Sequence, residues 1–341
     1  MFGCTCQSAR AVGVALATHF FDEDAYLSCN EKAPSWSESG SIAMCTTDSN
    51  SMNNGMQRDD VGDAFGSIGR SNIVPVSNLA QLAPTQRYAT YYNMNHTKRG
   101  LAVIFNHEFF TISHLKPRHG TNVDCENLTI TLKNLGFDVN HYHNLVHRDI
   151  VKQLEKVADI GFHSEHDCLV VAVLSHGELG LLYAHDTSYK ADSLWQYFTA
   201  DKCPSLAGRP KLFFIQACQG DRLDPGVNLK ERTETDGYAP TFRIPTQADF
   251  LIAYSTIPGY YSWRNTSRGS WFMQALCSEL RENGIRYDLL TLLTFVCQRV
   301  ALDFESNTPD NLAMHQQKQI PCITTMLTRL VKFTSPKNGV V

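Results

Sequence analysis

The 341-residue sequence has no long apolar run, no excess of basic charge and no paired cysteine motif. Its apolar stretches fall well short of the roughly 18 residues that a membrane-spanning helix needs, so no membrane association is expected. The formal net charge of −4 leaves no electrostatic footprint for a nucleic acid. Eleven cysteines, at 4, 6, 29, 45, 125, 168, 203, 218, 277, 297 and 322, form an odd set without a C-x-x-C pair or zinc-ligand spacing. A disulfide framework and a structural metal are therefore not expected; the thiols fit a reducing cytoplasm, with Cys168, Cys297 and Cys322 read as small buried apolar residues. Residues 11–17, AVGVALA, imitate the apolar core of a signal peptide, but only Arg10 precedes them as a positive charge, which argues against secretion. The histidines at 141, 143, 147, 163 and 166 lack neighbouring cysteine or carboxylate ligand spacing and read as surface residues.

With 43% hydrophobic and 19% charged residues, there is material for a sheet covered on both faces. Candidate strands are 101–106, 137–142, 168–174, 212–217, 249–255 and 320–327. Helical spacing runs between them: Leu128, Leu132 and Leu135 before Gly136; Ile150, Leu154, Val157 and Ala158 before Gly161; and the group Leu194, Tyr197 and Phe198. Two more follow, Phe272, Ala275, Leu276 and Leu280 before Gly284, then Leu289, Leu293, Val296, Val300 and Phe304. This alternation predicts an α/β fold with a mostly parallel sheet and helices on both faces, binding its ligand beyond the carboxyl ends of the strands. Two segments stand outside it. Residues 31–60 carry six serines and three asparagines without periodicity and read as a disordered tail. Residues 221–247 are charged and proline-punctuated, a span whose lack of structure is expected to be functional.

Two predicted strands end on chemistry. The run KLFFIQA stops at Cys218, followed by Gln219 and Gly220, and the run ending at Leu174 leads into Ser175, His176 and Gly177. Cys218 and His176 are 42 residues apart in sequence, so they meet only if their strands lie close in one sheet. A thiol with an imidazole beside it is a nucleophile with its general base. Gly177 permits a tight turn there, and its N–H with that of Cys218 forms the candidate pair of donors for a developing oxyanion.

Gln216-Ala217-Cys218-Gln219-Gly220 with a histidine roughly 50 residues upstream is an already described signature of caspases. Over residues 88–333 the chain resembles an effector caspase, closest to insect executioner enzymes, through GTNVDCENL (120–128), LSHGELG (174–180), PKLFFIQACQGDRLD (210–224), ADFLIAYSTIPGYYSWRN (248–265), GSWFMQ (269–274) and KQIPCITTMLTR (318–329). The resemblance implies a six-stranded caspase-like sheet and a cysteine endopeptidase that cleaves after aspartate, needs no cofactor and executes apoptosis. It implies a basic pocket for the aspartate lined by Arg118, Gln216 and Arg264, with Ser262 beside them, Tyr261 and Trp263 at the next subsite and Trp271 either near the fourth subsite or packed under its helix.

The same resemblance implies a zymogen with a prodomain (1–63), a large-subunit region (64–236) and a small-subunit region (237–341). Cleavage sites are read at Asp236, closing TETD before Gly237, and at Asp63, closing DVGD before Ala64; Asp224 is disfavoured by Pro225. Implied partners are an upstream initiator caspase, inhibitor-of-apoptosis proteins binding a free Ala64 N-terminus, and a second large/small heterodimer across the QIPCITTML strand. Two other classes compete. A catalytically inert caspase-like regulator would lack the nucleophile, base or basic pocket, and a thiol oxidoreductase would need a resolving cysteine near Cys218.

Overall fold

The computed structural model describes residues 83–159, 163–226 and 245–336. Eleven strands and four α-helices are found there. In chain order they are β1 (Leu101–Asn106), α1 (Thr121–Asn134), β2 (Asp138–His143), α2 (His147–Ala158), β3 (Leu169–Leu174), β4 (Gly177–Glu178), β5 (Leu181–Tyr183) and β6 (Ser188–Lys190). Then follow β7 (Lys211–Gln216), β8 (Phe250–Tyr254), β9 (Arg264–Asn265), β10 (Gly269–Ser270), α3 (Trp271–Asn283), α4 (Leu289–Asp303) and β11 (Cys322–Thr325).

The main sheet has the order β11-β8-β7-β3-β1-β2. Five strands run parallel, and only β11 is antiparallel, against β8. Burial on both faces is why the central strands read as unbroken apolar runs, and side chains of period two divide between two cores. Ala102, Ile104, Val170, Ala172, Leu212, Phe214, Leu251 and Ala253 pack with α1, α3 and α4. Their alternates, Val103, Phe105, Val171, Val173, Phe213, Ile215, Phe250 and Ile252, pack with α2 and the segment from Leu182 to Leu206. Asp288 caps α4 by accepting from Leu290 N at 3.0 Å and Thr291 N at 3.2 Å, satisfying two of the free donors of its first turn.

All six predicted strands of the main sheet are present, β1 with the expected ends and the others with ends shifted by at most two residues. Four of the predicted helices are too. The group at Leu194, Tyr197 and Phe198 gives only a short 3₁₀ turn, Ala191–Leu194, followed by further turns, because the spacing was too brief to propagate an α-helix. Gly161, the expected stop of α2, lies outside the described residues. The small sheets β4-β5-β6 and β9-β10 were not foreseen; strands of two or three residues carry no readable alternation. Cys168 is fully buried as expected, whereas Cys297 and Cys322 are only partly so.

His163 and His166 also depart from expectation: both are buried, not on the surface. The Val157 carbonyl can only accept, so His163 donates Nε2–H to it at 2.7 Å and leaves Nδ1 bare. His166 then donates Nδ1–H to that nitrogen at 3.3 Å. Burial holds both rings below the usual histidine range, His166 at about 4. His107, buried with neither ring nitrogen bonded to protein, is lowered by burial to about 3. The unfolded chain takes up these protons near pH 6.5 and the folded chain does not, so their contribution is complete above that value and is lost as pH falls toward 4. Asp124, raised by burial to about 6, opposes the trend at one position. Thermal melting of the inactive Cys218→Ala protein is expected to decline from pH 7 to pH 4.5, with a shallower decline in a His166→Asn variant; equal slopes would show that the pair does not govern acid stability.

Candidate active site

Strands β3 and β7 are parallel neighbours in register, Leu174 opposite Gln216. His176 and Cys218 each lie two residues past that level, at the carboxyl edge of the sheet. The strand register thus brings the candidate nucleophile and base together. The two loops touch directly: Ser175 N donates to Gln216 O at 3.0 Å, and a Cβ added to Gly177 would lie 2.7 Å from Cys218 O. Only glycine fits at that position. Cys218 N–H donates to no protein acceptor among the described residues, which leaves it available to an incoming oxygen.

His176 is half-buried, with its ring centroid 5.0 Å from that of Phe110. Nε2 donates to the Lys116 carbonyl at 2.8 Å, so in the neutral ring Nδ1 is the bare nitrogen that can take a proton. Lys116 was not singled out from the sequence, and no sequence signal could have found it, because its backbone oxygen rather than its side chain makes the contact. Desolvation holds His176 at about 4, with the Arg118 and Arg264 charges adding to the effect. Cys218 is pushed upward by burial, against a hydrogen bond from Ser262 N at 3.4 Å and the same two arginines. The empty site therefore rests as neutral thiol and neutral imidazole.

Arg118 precedes α1 and is 2% exposed. Its Nη1 donates to His107 O at 3.0 Å and to Thr121 Oγ1 at 2.7 Å, and no carboxylate lies within 4 Å among the described residues. Burial and then the neighbouring Arg264 lower it to about 9. Arg264, in β9, donates Nε–H to His119 O at 2.9 Å and likewise meets no carboxylate within 4 Å. The loops carrying the two cations are pressed together at Gly120, where φ is 91° and an added Cβ would lie 2.7 Å from Asn265 O. Two desolvated guanidiniums with no carboxylate in contact, Asp124 and Glu108 acting on them only at longer range, make a receptor for a carboxylate.

Gln216 lies behind this pair. Its Nε2 donates one hydrogen to Ser262 Oγ at 2.9 Å, which leaves the second Nε2 hydrogen as the donor available to a carboxylate; Oε1, buried without a partner, can only accept. Ser262 Oγ continues to Ser255 Oγ at 2.9 Å. Tyr261 is the exposed member of an aromatic series in which its ring meets Trp263 at 5.2 Å, Trp263 stacks on Trp271 at 5.6 Å and Trp271 stacks on Phe304 at 5.5 Å. Trp271 is 7% exposed at the first position of α3. Trp271 packs between Trp263 and Phe304, with Trp263 between it and the exposed Tyr261. Arg118, Gln216, Ser262, Arg264 and Cys218 share one locality; Asp63 and Asp236 lie outside the described residues.

Comparison with known proteins follows the same residues. The caspase domain family model matches residues 99–332. The chain is 64% identical to Caspase-1 of Spodoptera frugiperda over 275 residues, covering 80% of this chain and 90% of that protein. It is 62% identical to Caspase drICE of Drosophila melanogaster over 259 residues, covering 75% and 76%. The crystal structure of the Spodoptera frugiperda Caspase-1 superposes with a TM-score of 0.70 and 64% identity, covering 74% of this chain and 98% of that one.

A thiol held above its ordinary range should alkylate slowly. Iodoacetamide labelling of Cys218 in the ligand-free protein is expected to accelerate about tenfold per pH unit between pH 6 and 8, as thiolate fraction does below the pKa. A rate already flat across that range would indicate a preformed thiolate.

Proposed function

The chain belongs to the caspase family of cysteine endopeptidases, and from that premise we propose that it is an effector enzyme of apoptosis that cleaves proteins after aspartate, with Cys218 as nucleophile and His176 as base. The observation that carries this reading is the pair Arg118, buried, and Arg264, half-buried, whose charges both act on Cys218 and neither of which has a carboxylate within 4 Å among the described residues. A substrate aspartate supplies that carboxylate. Seated between the two cations and the Gln216 amide, it sets the following carbonyl over the sulfur. Neutralising the arginines also removes the repulsion that depresses His176, so substrate binding strengthens the base that must accept the thiol proton. Sulfur then attacks the carbonyl carbon. The negative charge formed on its oxygen is met by the N–H groups of Cys218 and Gly177, of a kind worth about 2.7–4 kcal/mol each. His176 passes its proton to the leaving amine, and water, deprotonated by the same ring, releases the acyl group.

Support for an extended peptide comes from Tyr261, the exposed residue of a segment that continues from Ser262, whose N–H touches Cys218 Sγ at 3.4 Å, into the buried Trp263. The finer assignments are part of the same proposal: a cytoplasmic zymogen whose regions 1–63, 64–236 and 237–341 are separated by cuts after Asp63 and Asp236. An upstream initiator caspase would make the first cut. Pairing of two processed molecules would involve β11, whose far edge has no partner strand among the described residues. An Ala64 N-terminus, once exposed, would offer inhibitor-of-apoptosis proteins a free ammonium and a methyl group.

Peptide cleavage by variants tests the roles. Cys218→Ala and His176→Ala are expected to abolish turnover of an Asp-ended tetrapeptide while melting as the parent does. Arg118→Ala or Arg264→Ala should cost about 2–5 kcal/mol in kcat/KM, tens to thousands of fold, and erase the preference for Asp over Asn. Retained discrimination would place the pocket elsewhere. Separately, Asp236→Ala is expected to keep the chain in one piece and weakly active; full activity from the uncut chain would remove that cleavage from the scheme.

A further inference from the structure

Behind that segment sits a side chain that the proposed chemistry leaves unused. Gln319, on the approach to β11, is 2% exposed. Its Oε1 accepts from Trp263 N at 2.7 Å, and its Nε2 donates to Ser255 O at 2.6 Å. Ser255 directly follows β8 and is completely buried. Its N donates to Ile215 O at 2.9 Å, and its hydroxyl donates to Ala217 O at 3.0 Å. The residue before Gln319 is anchored as well: Lys318 N donates to Asp224 O at 2.8 Å and its Nζ to Phe304 O at 2.7 Å. Gln319 is thus a peg between the sheet and the segment that follows the 256–260 turn.

We propose that Gln319 is a positioning residue of the substrate groove, its amide fixing the Tyr261–Arg264 segment against the end of β8 and so setting the height of that segment relative to Cys218. The inference rests on the peptidase reading above. The chemistry asks for an amide in particular. Trp263 N–H needs an acceptor and Ser255 O needs a donor, both buried; an ionised carboxylate offers no donor, an ammonium no acceptor, and a hydrocarbon neither. Asparagine carries both groups but is one methylene shorter and cannot span the same gap. The segment keeps other ties, Tyr261 N to Arg222 O at 2.8 Å and Ser262 Oγ to Ser255 Oγ at 2.9 Å, so its loss should shift the groove rather than unfold it. His176 and Cys218 are carried past β3 and β7 and receive no bond from Gln319. The proposed role therefore acts first on binding, and reaches Cys218 only through the Ser262 N contact at 3.4 Å.

The test uses the processed full-length enzyme with Gln319→Met and Gln319→Asn. For Gln319→Met, KM for an Asp-ended tetrapeptide is expected to rise about 5- to 100-fold, the range for leaving two buried polar groups unpaired, while kcat stays within about threefold. Gln319→Asn should fall between it and the parent, and acrylamide quenching of tryptophan emission should increase in both as Trp263 loosens. A lowered melting temperature with KM and quenching unchanged would reduce Gln319 to a core contact and overturn the proposal, as would a loss confined to kcat. If Gln319→Met does not fold, the Asn variant carries the same comparison. Failure of the parent enzyme to cleave any Asp-ended peptide would overturn the peptidase reading instead, leaving the quenching comparison to decide the placement of Gln319.

Discussion

A positive charge buried with no carboxylate in contact among the described residues is the constraint around which this molecule is arranged. Arg118 sits at 2% exposure with only two neutral oxygens as acceptors, and a second guanidinium, Arg264, repels it. Taking such a group out of water costs several kcal/mol unless its surroundings compensate, and a fold keeps it there only if packing elsewhere holds the loops in place. The two apolar cores on the faces of the sheet provide that packing. Gly120 lets the arginine loops meet, and Asp124, in the first turn of α1, secures the other side by accepting from Ser270 N at 2.8 Å and Ser270 Oγ at 2.6 Å.

The same charges reach the reacting groups. They lower Cys218 somewhat against its burial and lower His176 further than burial alone would. An imidazole near 4 is a poor base at neutral pH, and a buried thiol is a poor nucleophile. In the proposed mechanism, a ligand carboxylate that offsets the two arginines is what strengthens this base.

Much of this could be read from the chain. Central strands announce themselves because burial on both faces makes them apolar throughout, and β3 and β7 end on His176 and Cys218 because the carboxyl edge of a parallel sheet is where loops leave. Arg118, Gln216 and Arg264 were legible only through the resemblance, since nothing about an isolated arginine distinguishes a buried cation from a solvated one. Other parts were not legible at all. The Lys116 carbonyl carries no residue identity. Burial of His163 and His166 depends on how the approach to β3 packs against α2, and Gln319 acts through a partner 56 positions away in sequence. Strands as short as β9 and β10 arise from the hairpin that holds Arg264 and leave no period to detect.

Strands β7 and β8, which flank residues 227–244, are parallel neighbours in register from Lys211 opposite Phe250 to Ile215 opposite Tyr254. The chain after residue 244 also contributes α3 and α4 to the core shared with α1. A cut between residues 227 and 244 would leave these contacts whole while removing the covalent tie between the halves. Folding then changes molecularity: what was a unimolecular equilibrium becomes an association of two polypeptides, and the melting temperature of the nicked protein, unlike that of the intact chain, rises with its own concentration.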